Sequence, residues 1–295
     1  MVIPPTGEVE FMAIALGENR YGKSRVRLMK VWRSGTRHEI VEWNVEVWLT
    51  GDFRSCFVDG DNGHILPTDT MKNTVYSLAR SSSAKSMEDF GQELVSHFLE
   101  ANPYADAAGA HVAATPWRDI EGFPGAFTHA SDKYDTTTVT LLRAGGGSVT
   151  SGFEGLWLLK TAKSGFSGYL KDRLTTLKET HDRLFGTLAA AEWRYAGTCL
   201  DYVALRQRIE NALVSTFAEH DSLSVQQTLY EMAKRALEEV TEIADVHLKM
   251  PNKHCNLVDL SPFGQDNPNE IFVPTDEPHG SIEARVFRDD SRWLE

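Results

Sequence analysis

Thr74-Val-Tyr-Ser-Leu-Ala-Arg80 and Thr228-Leu-Tyr-Glu-Met-Ala-Lys234 agree at threonine, tyrosine and alanine and keep residue type at three further places, at an offset of 154 (74 to 228). The agreement has two readings: two amphipathic helices that happen to look alike, or the trace of an internal duplication. Elements on either side favour the second. Ahead of the first copy, Val41, Trp43, Val45, Val47 and Leu49 alternate with Glu42, Asn44, Glu46 and Trp48, the period of two of a half-buried strand, and Arg25 to Arg33 reads as another strand. Thr68-Asp69 opens a helix through Leu78, and Ser86 opens a second to about Leu99, before Pro103. Ala110 to Thr115 and Thr136 to Leu142 read as strands, the latter ended by Gly145-Gly146-Gly147. The second half follows the same plan: strands near Gly155 to Lys160 and Glu192 to Tyr195, helices over Asp201 to Phe217 and Val225 to Ile243, and strands around Val246 and from Ser281 to Phe287. The reading is therefore an α+β chain with a boundary at the triple glycine, one unit over 1–146 and another over 147–295 with a C-terminal tail.

Bulk composition narrows the partners. Across 295 residues, 30 basic side chains face 42 acidic ones, a net charge of −12, which opposes nucleic acid as the main ligand. A few local arginines and lysines can still build a positive pocket for an anionic substrate. Three cysteines, Cys56, Cys199 and Cys255, without C-x-x-C spacing indicate neither a disulfide framework nor a zinc ribbon. No apolar run reaches the ~18 residues of a spanning helix, so no membrane partner is expected. The first residues lack a leader pattern and the last, Ser-Arg-Trp-Leu-Glu, are not the peroxisomal Ser-Lys-Leu, so a cytoplasmic location is expected.

Two motifs fail on inspection. Asp59-Gly60-Asp61-Asn62-Gly63 resembles a calcium loop, but Gly63 falls on a ligand position and His64 on the turn glycine, so a hairpin turn is expected. Gly145-Gly146-Gly147 lacks the lysine of a phosphate loop.

The segment with most chemistry runs from Met250 to Arg285. Prolines 251, 262, 268, 274 and 278 exclude a helix and restrict strand pairing, which places Asn252, Lys253, His254 and Gln265 on loops or strand ends. Pro251-Asn252-Lys253-His254 followed by Asp259-Leu260-Ser261 resembles the signature of the urate oxidase (uricase) family, in its bacterial form. Further segments match in order: Tyr21-Gly22-Lys23; Pro67-Thr68-Asp69-Thr70-Met71-Lys72-Asn73-Thr74; Phe166-Ser167-Gly168-Tyr169 with Thr175 to Arg183; and Ser224-Val225-Gln226.

The resemblance implies tandem tunnelling-fold (T-fold) repeats, whose antiparallel sheets close into an inter-subunit barrel with helices outside, in a homotetramer with active sites at subunit interfaces. It implies oxidation of urate by O2 and water to 5-hydroxyisourate and hydrogen peroxide, with no cofactor and no metal. Lys23 and Thr68 form a proton relay, with Thr68 contributed by the neighbouring subunit. His254 transfers protons or orients water, and Asn252 holds the O2 or water site. Arg183 and Gln226 clamp the ring with the Val225 backbone, Phe166 stacks on it, and Thr68 and Asp69 hold its five-membered part.

Each residue type suits its task. A guanidinium fork matches adjacent carbonyl and nitrogen acceptors, an amide complements a donor–acceptor edge, and an amine in a dry site can take a hydroxyl proton. From the residues alone, other roles stay open: a surface ion pair for Arg183, helix capping for Gln226 and Thr68-Asp69, a core position for Phe166, a metal for His254 beside Cys255. A Ser–His–Asp hydrolase centred on Gly165-Phe166-Ser167-Gly168 has the wrong elbow spacing. A pterin or purine ring-converting enzyme of the same fold lacks its zinc or glutamate pocket here. A non-catalytic purine-binding protein needs Arg183, Gln226 and Phe166 but not Lys23, Thr68 and His254.

Overall fold

The computed structural model describes residues 14–35 and 37–289. Within them lie β1 (Tyr21–Ser34), β2 (Arg37–Gly51), α1 (Arg54–Val58), α2 (Thr68–Ser81), α3 (Met87–Ala101), β3 (Ala105–Thr115), β4 (Trp117–Asp119), β5 (Phe127–His129), β6 (Tyr134–Leu142), β7 (Gly147–Lys160), β8 (Phe185–Tyr195), α4 (Tyr202–Glu219), α5 (Val225–Glu239), β9 (Ile243–Lys249), β10 (Asn252–Leu257), β11 (Phe272–Gly280) and β12 (Glu283–Phe287). All the strand pairs are antiparallel, and the main sheet runs β1-β2-β3-β6-β7-β8-β10-β11, with β9 also paired to β8 and β12 to β9.

β9 and β10 are two stretches of one path broken at Met250-Pro251, and β11 and β12 run back beside them. Pro251 lacks the N–H that a continuous ladder needs, so the path breaks there. Met250 N–H still bonds Ile282 O across the break, at 2.8 Å.

Alternation along β2 sets the layers. Trp43, Val45, Val47 and Leu49 are buried under the helices, and Trp43 stacks on Phe90 of α3 with ring centroids 5.1 Å apart. Glu42, Asn44, Glu46 and Trp48 take the opposite face. In the second half Phe185 meets Phe217 of α4 at 5.1 Å, and Tyr195 meets Tyr202 at 4.9 Å. Ser86 caps α3 by accepting from Asp89 N–H at 3.0 Å, as its position before the helix predicts. Asp201 and Ser224 cap α4 and α5 in the same way.

Three expectations change. The 59–63 turn joins α1 to α2, two helices, and is no hairpin; α1 has no periodic apolar signature because none of its residues is buried. The proline-rich segment holds β10, β11 and the start of β12, so His254 sits within a strand. Pro274 and Pro278 are tolerated because β11 is the last strand on the main path, where a missing N–H costs no ladder bond on the open side, and prolines 251, 262 and 268 lie outside the strands. The matching heptapeptides fall on α2 and α5, the first long helix of one half and the second of the other. Element order pairs α3 with α5, both of 15 residues, at an offset of 138 (87 to 225). The likeness at 154 is thus that of two amphipathic helices.

Candidate active site

Lys23 lies on β1, opposite Val47. Immediately after it the register slips, with Arg25 in the left-handed region at φ 58°. Gly22 lets β1 lie close to β2, since a Cβ there would fall 2.0 Å from Val47 O. Thr68 is the first residue of α2, whose N-cap is Pro67, so the Thr68 hydroxyl is not used as the cap. Asp69 occupies the first helical turn, where the Lys72 ammonium hydrogen-bonds and holds its carboxyl below the usual range; Asn73 assists, and the Lys23 charge adds to the effect. The Lys23 charge is thus felt at Asp69, in the first turn of α2 beside Thr68.

A second group forms where the loop between β7 and β8 meets the start of α5. Gly165 N–H bonds Ser222 O at 2.8 Å and Ser222 N–H bonds Lys163 O at 2.9 Å, tying the loop to the segment that leads into α5. Phe166 and Thr180 exchange both backbone hydrogen bonds, at 2.7 and 3.0 Å, and Arg183 N–H bonds Ser164 O at 2.9 Å. Phe166 is therefore held by backbone and is half-buried, which excludes a core role. Its ring stacks on Tyr169 at 4.9 Å, and the Arg183 guanidinium carbon lies 5.4 Å from its centroid.

Arg183 makes no ion pair with the described residues; its Nε is buried without a partner, and burial lowers its pKa. A surface ion-pair role is excluded for it there. Gln226 is exposed, while the capping is done by its neighbours: Ser224 Oγ accepts from Gln227 N–H at 3.1 Å, and Gln227 Oε1 accepts from Leu223 N–H at 3.0 Å. Val225 is buried at the first position of α5.

Asn252 and His254 stand alongside. Asn252 pairs with Thr187 at the start of β8, just beyond Arg183, and His254 pairs with Thr275 of β11 and is exposed. A cavity of about 450 Å³ lined by Arg183, Asp182, Cys255 and Glu270 adjoins them. Among the described residues no cluster of three His, Cys, Asp or Glu could hold a metal.

The chain does not bring all nine residues together. Lys23, Thr68 and Asp69 gather at β1 of one chain, so Thr68 comes near Lys23 without the neighbouring subunit that the resemblance implied, whereas Phe166, Arg183, Val225, Gln226, Asn252 and His254 gather beyond β8. Between β1 and β10 lie β2, β3, β6, β7 and β8, six inter-strand steps or roughly 28 Å along the sheet. Tyr21 and Asn102 both hold the segment before Thr68, a task that no local motif signals and only their spatial approach reveals.

A family model for uricase matches residues 19–140 and 149–283, omitting the β6–β7 turn. The chain is 42% identical to the uricase of Arthrobacter globiformis over 280 residues, 95% of this chain and 92% of that one. It is 36% identical to the uricase of Dictyostelium discoideum over 281 residues, 93% and 98% of the two chains. The crystal structure of Arthrobacter globiformis uricase matches with a TM-score of 0.92 at 40% identity, over 95% of this chain and 97% of that one. Urate oxidase of Bacillus sp. TB-90, at 21% identity and a TM-score of 0.80 over 92% and 100%, shares the fold.

Proposed function

Because the chain belongs to the uricase family and is a urate-oxidising enzyme, we propose that its two residue groups divide the reaction between them. The observation that carries this reading is the Arg183 guanidinium, half-buried, without an ion-pair partner among the described residues and set over Phe166, in the loop that is tied to the start of α5 where Gln226 is exposed. A planar anion stacked on Phe166 can accept two N–H bonds from Arg183 and exchange a donor and an acceptor with Gln226, with the Val225 backbone assisting. Urate has that edge. Thr68 and Asp69 hold the opposite, five-membered ring.

Lys23 and Thr68 act as a relay: Thr68 passes a proton from urate to the Lys23 amine, leaving an electron-rich anion. That anion gives two electrons to O2, and water adds to the oxidised ring. Urate, O2 and H2O become 5-hydroxyisourate and H2O2, with the proton returned through the relay. Asn252 holds O2 and then water above the ring, and His254 orients the water and moves its proton. The protein supplies orientation and proton transfer, and O2 reacts with bound urate without a cofactor.

We read the halves 1–146 and 147–295 as two T-fold repeats, and the complete site as formed between chains of a homotetramer. The separation of the two groups within one chain supports this, as do the open outer sides of β1 and β11, which a neighbouring chain can cover. Trp157, Leu159, Leu174, Leu223 and Phe287 are exposed apolar residues that assembly would bury.

The test is urate absorbance decay by metal-free protein in chelator, with O2 and peroxide followed in the same sample. One O2 lost and one H2O2 gained per urate is the expected result. Binding without turnover, or turnover restored only by added metal, would refute the cofactor-free scheme.

A further inference from the structure

The irregular segment from 59 to 67 delivers Thr68, yet it has little regular hydrogen bonding of its own. Its end is held by a phenol. Tyr21 Oη accepts from Leu66 N–H at 2.9 Å and from Asn102 Nδ2 at 3.4 Å. Leu66 is two residues before Thr68, and Tyr21 is two residues before Lys23 on the same face of β1. We infer that the Tyr21 hydroxyl, backed by Asn102, is a positioning group that fixes the spacing of Lys23 and Thr68.

Tyr21 is itself well placed. It pairs opposite Leu49 in the ladder, and its ring meets the buried Phe53 edge-on at 4.8 Å. Asn102 is 4% exposed, and its Oδ1 accepts from Tyr104 N–H at 3.0 Å while its carbonyl accepts from Arg143 at 2.7 Å. The same Nδ2 reaches His64 O at 3.5 Å, and the His64 ring stacks on Tyr104 at 3.6 Å. Behind the phenol, then, stands the closed end of α3. Regular pairing of β1 is interrupted just beyond Lys23, so the ladder holds that residue from one side only. The hydroxyl supplies the connection that the ladder does not. Burial raises the Tyr21 pKa, which keeps the group a neutral hydroxyl.

This inference rests on Lys23 and Thr68 being the proton relay. Tyr21→Phe keeps the ring against Phe53 and deletes only the acceptor. Wild type, Tyr21→Phe and Lys23→Met are compared in kcat, KM for urate, solvent isotope effect on kcat, and Tm. For Tyr21→Phe the expectation is a kcat lower by about 10- to 100-fold, as a misplaced reacting group costs, with KM within about twofold and a larger isotope effect. Tyr21→Ser keeps a hydroxyl on a side chain too short to reach Leu66 N–H, so it should be no better than Phe.

An unchanged kcat in Tyr21→Phe, beside an inactive Lys23→Met, would overturn the inference and leave the relay standing. A change confined to Tm would do the same, marking the hydroxyl as structural only. Wild-type turnover in Lys23→Met would remove the relay and this inference with it.

Discussion

Arg183 carries the heaviest assignment of any single side chain, and its environment says what removing it costs. The guanidinium is half-buried with no carboxylate partner among the described residues, so its hydrogen-bonding capacity is not committed within the chain. Hydrogen bonds to a charged group contribute about 1.5–3 kcal/mol each. Arg183→Ala should raise KM for urate by at least ~30-fold, equivalent to about 2 kcal/mol. Arg183→Lys should recover little, because an ammonium cannot present two parallel donors. Lys23→Met should act differently, lowering kcat by about 100-fold while equilibrium urate binding is preserved. Steady-state kinetics and direct titration of urate test the pair. Equal loss of binding in both variants would contradict the division of roles.

At the scale of elements, the two halves meet through a buried polar cluster. Arg206 of α4 donates to Glu88 of α3 at 2.8 Å, to Gly152 O of β7 at 2.7 Å and to Thr137 Oγ1 of β6 at 3.1 Å; Ser151 donates to the same Glu88 at 2.5 Å. Glu88 has a side-chain exposure of 2%. Arg206→Ala leaves that carboxylate buried and unpaired, and should cost about 3–5 kcal/mol in denaturant unfolding.

One turn further along α4, Glu210 pairs with Lys133 at 2.9 Å, yet burial, with Asp135 adding repulsion, raises its pKa. Its folded pKa therefore exceeds the unfolded value of ~4.3. Between those two values the folded state keeps a proton that the unfolded state has lost, so this group's contribution falls as pH rises through the window. Glu210→Gln should be more stable than wild type at pH 7, and the difference should shrink as pH falls towards 4. Urea midpoints across that range decide it; a difference that grows on acidification would reverse the sign and refute the argument.

The whole molecule raises the question of where a complete site exists. Within one chain Lys23 stands on β1 and Arg183 just ahead of β8, five inter-strand steps or roughly 24 Å along the sheet. If sites form between chains, Lys23→Met and Arg183→Ala proteins, each strongly impaired alone at low urate, should regain activity when unfolded and refolded together. A hybrid pair has one site with both residues intact and one with neither, so random pairing should give up to about a quarter of wild-type activity. Mixtures that stay inactive, though folded and mixed, would place each site within one chain.

What the sequence determined by itself was local. Alternation in Val41 to Leu49, the helix start at Ser86, and the ordered motifs from Tyr21 to His254 specified elements and residue types, because pleat, helix start and side-chain chemistry depend on neighbours a few positions away. Only the tertiary structure decided what depends on distant partners. Pro274 and Pro278 fit a strand because that strand is the last on its path; Gln226 is uncommitted because Ser224 and Gln227 do the capping; Tyr21 and Asn102 join only because β1, the 59–67 segment and the end of α3 converge. The heptapeptide match, too, falls on α2 and α5, which differ in their place in the element order, since packing of helices on a sheet fixes position and tolerates exchange of apolar residues of similar size.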